Sequence, residues 1–244
     1  MIEILQWTTL AVCAIVAMAR VPSALRGENR SLFFIYAFMA VAILLSMDAP
    51  YLAIDRALGG TNIANLILRF IIFGAILAIG LRVARGFGAD DALQFITGRR
   101  GIAVLGVASL AVLVVFLMMD TEGSSAGMAA VAAKDAHQAA LVEYYGAAGR
   151  LYPAYVTLVL LPAMLRTATS RLPLLVRISA GLLAIGSVAI TLSLLSPVIP
   201  PELGITRFVL NYSAILCFVI ALALIWLGKV LAKRAPKKQT SPRN

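Results

Sequence analysis

Residues 46–70 read SMDAPYLAIDRALGGTNIANLILRF, and the fold turns on how this stretch is taken. An apolar run ends in Ser-Met-Asp-Ala-Pro-Tyr, a loop holding Gly59 and Gly60 follows, and apolar sequence resumes with Asn65 and Arg69 inside it. An ionised side chain within a membrane-length apolar run is costly unless it faces the bundle interior, water or a partner. Asp48 and Arg69 therefore predict two antiparallel spans with a polar site between them, closed by an Asp48–Arg69 ion pair. Thr61 or Asn62 is the expected N-cap of the second span. Pro50, which has no backbone donor, is expected to kink the first.

The rest of the chain makes the same case for a bilayer. Of 244 residues, 61% are hydrophobic and 13% charged, and the mean hydropathy of +0.95 lies outside the range of soluble domains. Apolar residues come in runs of about 17 to 25, the length that crosses roughly 30 Å of hydrocarbon as a helix. The period-two alternation of a membrane barrel is absent, and in lipid a helix satisfies its own backbone. The expected fold is all-α, a polytopic bundle of seven transmembrane helices near residues 3–20, 32–54, 62–82, 101–119, 145–166, 177–197 and 207–229. Residues 1–230 would form the transmembrane domain and 231–244 a short basic cytoplasmic tail. The first run reads as a retained span and not a signal peptide, because Glu3 and no basic residue precedes it.

Orientation follows from the cations. Most of the 21 Lys and Arg fall in the first, third and fifth connections (Arg20, Arg26, Arg30; Arg82, Arg85, Arg99, Arg100; Arg166, Arg171, Arg177) and in the tail. By the positive-inside rule the N-terminus is outside, the tail is cytoplasmic, and the protein is a multi-pass protein of the cell membrane. The net charge of +10 is then explained by topology and by anionic lipid at the cytoplasmic face, with no nucleic acid as partner. The tail leaves room for a membrane or cytoplasmic protein partner.

Several chemistries lack their residues. Cys13 and Cys217 sit inside apolar runs and His137 is the one histidine, so neither a bis-histidine haem nor a zinc hydrolase is expected. No lysine occurs between Thr206 and Gly228 to hold retinal as a Schiff base, and neither a Gly-x-Ser-x-Gly elbow nor a Walker Gly-Lys-Ser/Thr is present. The expectation is a non-enzyme without cofactor, metal or catalytic residues.

The fifth run is the second polar place. Glu143, Tyr144, Tyr145, Arg150, Tyr152 and Tyr155 fall within a few turns, Glu143 and Arg150 share a face at i, i+7, and Pro153 and Pro162 are expected to interrupt the backbone ladder. Ahead of it, Gly123 to Ala133 suits a loop leading into a short lid-like helix. In the fourth run Gly101, Ala103, Gly106, Ala108 and Ala111 offer a close-packing face. The candidate ligand-binding or buried ion-pair residues are thus Asp48, Asn65, Arg69, Glu143, Arg150 and Tyr152, around an outward-facing pocket between spans two, three and five.

A set of short matches runs through these segments: Arg20-Val-Pro22, Glu28-Asn29-Arg-Ser-Leu, Ala49-Pro50-Tyr, Ile54-Asp55, Gly60-Thr-Asn62 and the Tyr-rich fifth run. In these the chain resembles an actinobacterial family of seven-helix integral membrane proteins labelled as candidate transporters. The resemblance implies a membrane domain over nearly the whole chain. Members usually carry a further cytoplasmic region after the seventh helix, where this chain has its short tail. The expected function is a small transporter binding a polar or anionic solute in the outward-facing pocket. The alternative is a non-catalytic membrane sensor or partner subunit whose buried charges hold its helices together.

Overall fold

The computed structural model describes residues 2–27, 30–195 and 197, and beyond them 213, 217, 218, 220, 221 and 224. Every regular element among the described residues is helical. The expected seventh span, 207–229, lies outside them apart from the six residues just named, and the tail 231–244 lies outside them entirely.

Among the described residues four helices are long and apolar enough to cross a membrane: α4 (Ile63–Gly86), α6 (Arg99–Met118), α8 (Ala136–Ala168) and α9 (Leu174–Ser193). A fifth crossing is formed if α2 (Arg30–Leu44) and α3 (Asp48–Ala57) count together, since they meet at a 92° bend. The helix α1 (Ile2–Leu25) contributes a shorter apolar stretch, Leu10–Pro22. The large apolar side chains Ile102, Val107, Leu110, Val114 and Leu117 of α6 are exposed, the surface that lipid covers and water does not.

The α2–α3 bend puts a sharp break inside the span expected over 32–54. The break falls at Leu45–Met47, ahead of Pro50, which sits in the first turn of α3. There its missing N–H costs nothing, because the first N–H groups of a helix have no intrahelical acceptor. The end of α2 tightens, with Ser46 N donating to Ile43 O, and the Ser46 hydroxyl takes up the vacated Ala42 carbonyl at 2.7 Å. Polar Asp48, Asp55 and Arg56 among apolar residues make α3 amphipathic, with Tyr51 and Asp55, one turn apart, buried on its inner face.

The third connection, between the expected spans 62–82 and 101–119, contains α5 (Asp90–Thr97), a strongly amphipathic helix that turns Ala92 and Ile96 inward. Tyr155 of α8 donates to Phe95 O at 2.8 Å and ties α5 to the bundle. Immediately after it, Gly101 of α6 lies against the Phe95 and Ile96 carbonyls, closer than any Cβ could approach. Of the expected small face, Gly101 and Ala108 are buried while Ala103 and Gly106 are exposed.

The centre is α8, packed against α4, α6 and α9. Pro153 and Pro162 each omit one rung of its backbone ladder, having no N–H to donate, yet the helix is continuous through both, and Thr157 Oγ1 donates to Pro153 O at 2.9 Å. Asp135 caps its start by accepting from Gln138 N at 2.7 Å. The core joins Phe73 of α4, Val112 of α6, Tyr152, Val156, Leu160 and Met164 of α8, and Leu183 of α9. Gly80 of α4 lets Val156 approach closely. The lid-like helix is present as a 3-10 turn (Ala126–Met128) running into α7 (Ala129–Ala132).

Lys134, just after α7, pairs with Asp120 at 2.7 Å, and that ammonium together with the Glu122 N–H holds the Asp120 carboxyl below its ordinary pKa. A depressed carboxyl pKa stabilises the fold above the unfolded value, near 3.9, and the contribution fades as pH falls through the folded value. Asp120→Asn is therefore expected to lower the melting temperature slightly at pH 7, by an amount that shrinks as the pH is taken below about 3.9. Thermal unfolding of both proteins across that range checks it.

Candidate functional site

The polar groups of this fold gather at the end of the bundle that carries Asn62. Asp55, fully buried on the inner face of α3, accepts from Asn62 N and Ala64 N, each at 3.0 Å, and from the Ser124 hydroxyl. The carboxylate thus caps α4 where Thr61 or Asn62 was expected to, its charge set against the positive end of the helix dipole. Asn62 is freed for another task. In left-handed backbone at φ 57°, a conformation asparagine tolerates better than most residues, it turns its amide into the 121–125 loop. Its Nδ2 donates to Thr121 O and Gly123 O at 3.0 Å, and its Oδ1 accepts from Ser125 N at 3.1 Å and the Tyr51 hydroxyl at 2.8 Å. Every donor and acceptor of that side chain is used, so the node locks α3, α4 and the loop as one unit.

One turn and two turns further along α4 stand Asn65 and Arg69. Asn65 is 3% exposed, and its Oδ1 has no hydrogen-bond partner. The Arg69 guanidinium carbon lies 5.0 Å from the centre of the Tyr145 ring of α8, a cation–π arrangement, while its Nε is buried without a partner. The Tyr145 hydroxyl, on a side chain 1% exposed, is likewise unsatisfied. Gly149, one turn beyond Tyr145, makes room for the arginine, since a Cβ there would stand 2.9 Å from Arg69 Cδ and Nη1. An unsatisfied donor, Arg69 Nε–H, and a hydroxyl able to donate or accept, Tyr145, thus meet where α4 packs on α8, and the unsatisfied acceptor Asn65 Oδ1 is buried one turn before Arg69 on α4.

The expected residues divide. Asn65 and Arg69 stand in this cluster. Asp48 does not: it is exposed at the first turn of α3, and it makes no ion pair with Arg69, which corrects that expectation. The reason is the 92° bend, which swings the start of α3 away from α4 and presents Tyr51 and Asp55 inward instead. Glu143 and Arg150 are half-buried on α8, the arginine folded over Gly146. Tyr152 belongs to the core, its ring edge-on to Phe73 at 5.5 Å. Two surface hollows, of about 360 and 340 Å³, are lined by Gln94, Phe95, Gly98, Arg99 and Arg100 and by residues of α1 and α2; neither touches the cluster.

Sequence reasoning missed Tyr51, Asp55, Asn62, Ser124 and Gly149 as site-forming residues, and counted Tyr145 only among the aromatics. One signal was present: an asparagine directly after Gly59-Gly60-Thr61 suits left-handed backbone and is poorly placed to cap. Comparisons of the chain with protein-family models, with curated proteins and with solved structures gave no match, so the geometry stands by itself.

Proposed function

We propose that the chain is a seven-helix protein of the cell membrane, N-terminus outside and basic tail in the cytoplasm, that acts as a small transporter for a polar or anionic solute. The resemblance to the actinobacterial candidate-transporter family points the same way. The solute would reach Asn65, Arg69 and Tyr145 from the outer side. The observation that carries the reading is the set of three enclosed polar atoms without partners, one of them on Arg69, an arginine with no acid partner among the described residues. Each such atom costs about 1–3 kcal/mol when left unmade, and a charge in an apolar span costs more. A bound solute would remove both penalties.

The second reading is a membrane sensor or partner subunit with a purely structural cluster. The packing of Arg69 over Tyr145 and into the space at Gly149 favours it, because a filled notch needs no ligand. Arg69→Lys separates the two. Lysine keeps the charge and loses the planar fork. The transporter reading expects solute-dependent stabilisation, found by a thermal-shift screen of small polar and anionic solutes, to weaken at least about tenfold in the variant at unchanged folded yield. A fall in folded yield with no solute that shifts the wild type would establish the structural reading.

A further inference from the structure

The unmatched atoms at Asn65, Arg69 and Tyr145 specify what a ligand must offer. Arg69 Nε–H is a donor and calls for an acceptor oxygen; the Tyr145 hydroxyl can donate to such an oxygen or accept; the guanidinium beside them calls for negative charge; Asn65 Oδ1 is an acceptor and calls for an O–H or N–H. Asp55 makes no ion pair with Arg69; its oxygens accept three hydrogen bonds within the Asn62 node. A neutral polyol would leave the guanidinium charge unmatched, and a cation would be repelled. A halide or a simple carboxylate such as acetate would meet both donors and leave Asn65 Oδ1 buried and orphaned. That omission is a strong discriminator, since a site built to bond a ligand group rejects the analogue lacking it. Space is short as well: Asn65 and Tyr145 are closed off, and Gly149 provides only the room that the arginine occupies.

We infer that the ligand is a small monoanion with acceptor oxygens and one hydrogen-bond donor, its oxygens held by Arg69 and Tyr145 and its O–H or N–H by Asn65. This rests on the solute-binding reading and narrows it. Two sources share the chemistry, a hydroxy-substituted carboxylate and a protonated inorganic oxyanion.

The test is a titration of the purified full-length protein with sodium glycolate, dihydrogen phosphate at pH 6, acetate and chloride, read by thermal shift and calorimetry. Glycolate or dihydrogen phosphate is expected to bind at least about tenfold more tightly than acetate or chloride, and the preferred one of the two names the source. In Asn65→Leu the preference over acetate is expected to vanish, and Tyr145→Phe should weaken all the anions several-fold. If either variant fails to fold, the wild-type series still decides the matter. Equal binding of acetate and glycolate overturns the inferred class and leaves the anion site standing. No binding by any of the four overturns both, and assigns the three atoms to water.

Discussion

Asp55→Ala is expected to destabilise the fold by about 3–5 kcal/mol, a drop in melting temperature on the order of 10 °C. The carboxylate is fully buried, and three donors depend on it. Its loss leaves Asn62 N and Ala64 N unsatisfied at the start of α4 and releases Ser124, so a helix cap and a loop anchor fail together. Asp55→Asn is the sharper probe. It keeps the shape and removes the charge, but its amide nitrogen cannot accept, so at least one of those donors is stranded; a loss of about 2 kcal/mol is expected. Thermal unfolding in one detergent measures both, and an Asp55→Ala protein as stable as the wild type would show that the node is idle. Asp48→Asn, at an exposed site, serves as the control and should change little.

The second large effect is expected at Gly101. A Cβ built there falls 1.9 Å from Ile96 O and 2.7 Å from Phe95 O, both backbone atoms that no side-chain rotation can move. Gly101→Ala must displace α5 from the start of α6, and a cost of about 3 kcal/mol is expected, at the upper end of overpacking. Gly106→Ala on the same helix has nothing within 4 Å and should be neutral or up to about 1 kcal/mol stabilising, as alanine is the better helix former. Comparing the two melting temperatures isolates the steric term from helix propensity. Because Tyr155 holds α5 by its Phe95 carbonyl, Gly101→Ala should also loosen that bond, seen as faster amide exchange across residues 90–97.

The two predictions bear differently on function. Asp55 belongs to the frame that positions Asn65 and Arg69, three and seven residues along from the N-cap position Asn62 that it holds at the α4 start, whereas Gly101 shapes the opposite end of that bundle. If solute binding resides at Arg69, Asp55→Asn should weaken it along with stability, and Gly101→Ala should cost stability with the affinity of the folded fraction unchanged.

The sequence by itself determined the solvent of this protein and most of its helices. Apolar run length and the expense of charge in hydrocarbon are properties of consecutive residues, so α4, α6, α8 and α9 could be read directly, as could Asn65 and Arg69 as misfits within their run. Only the tertiary structure decided how the misfits are met. The partners of Asn62 and of the Asp55 carboxylate in the loop lie 59 to 69 residues away in the chain, so no local pattern announces them. The bend at Leu45–Met47 likewise decided which carboxylate is buried: Asp48 and Asp55 share a face of α3 at i, i+7, but Asp48 stands exposed in the first turn at the 92° corner, whereas Asp55 lies buried two turns on.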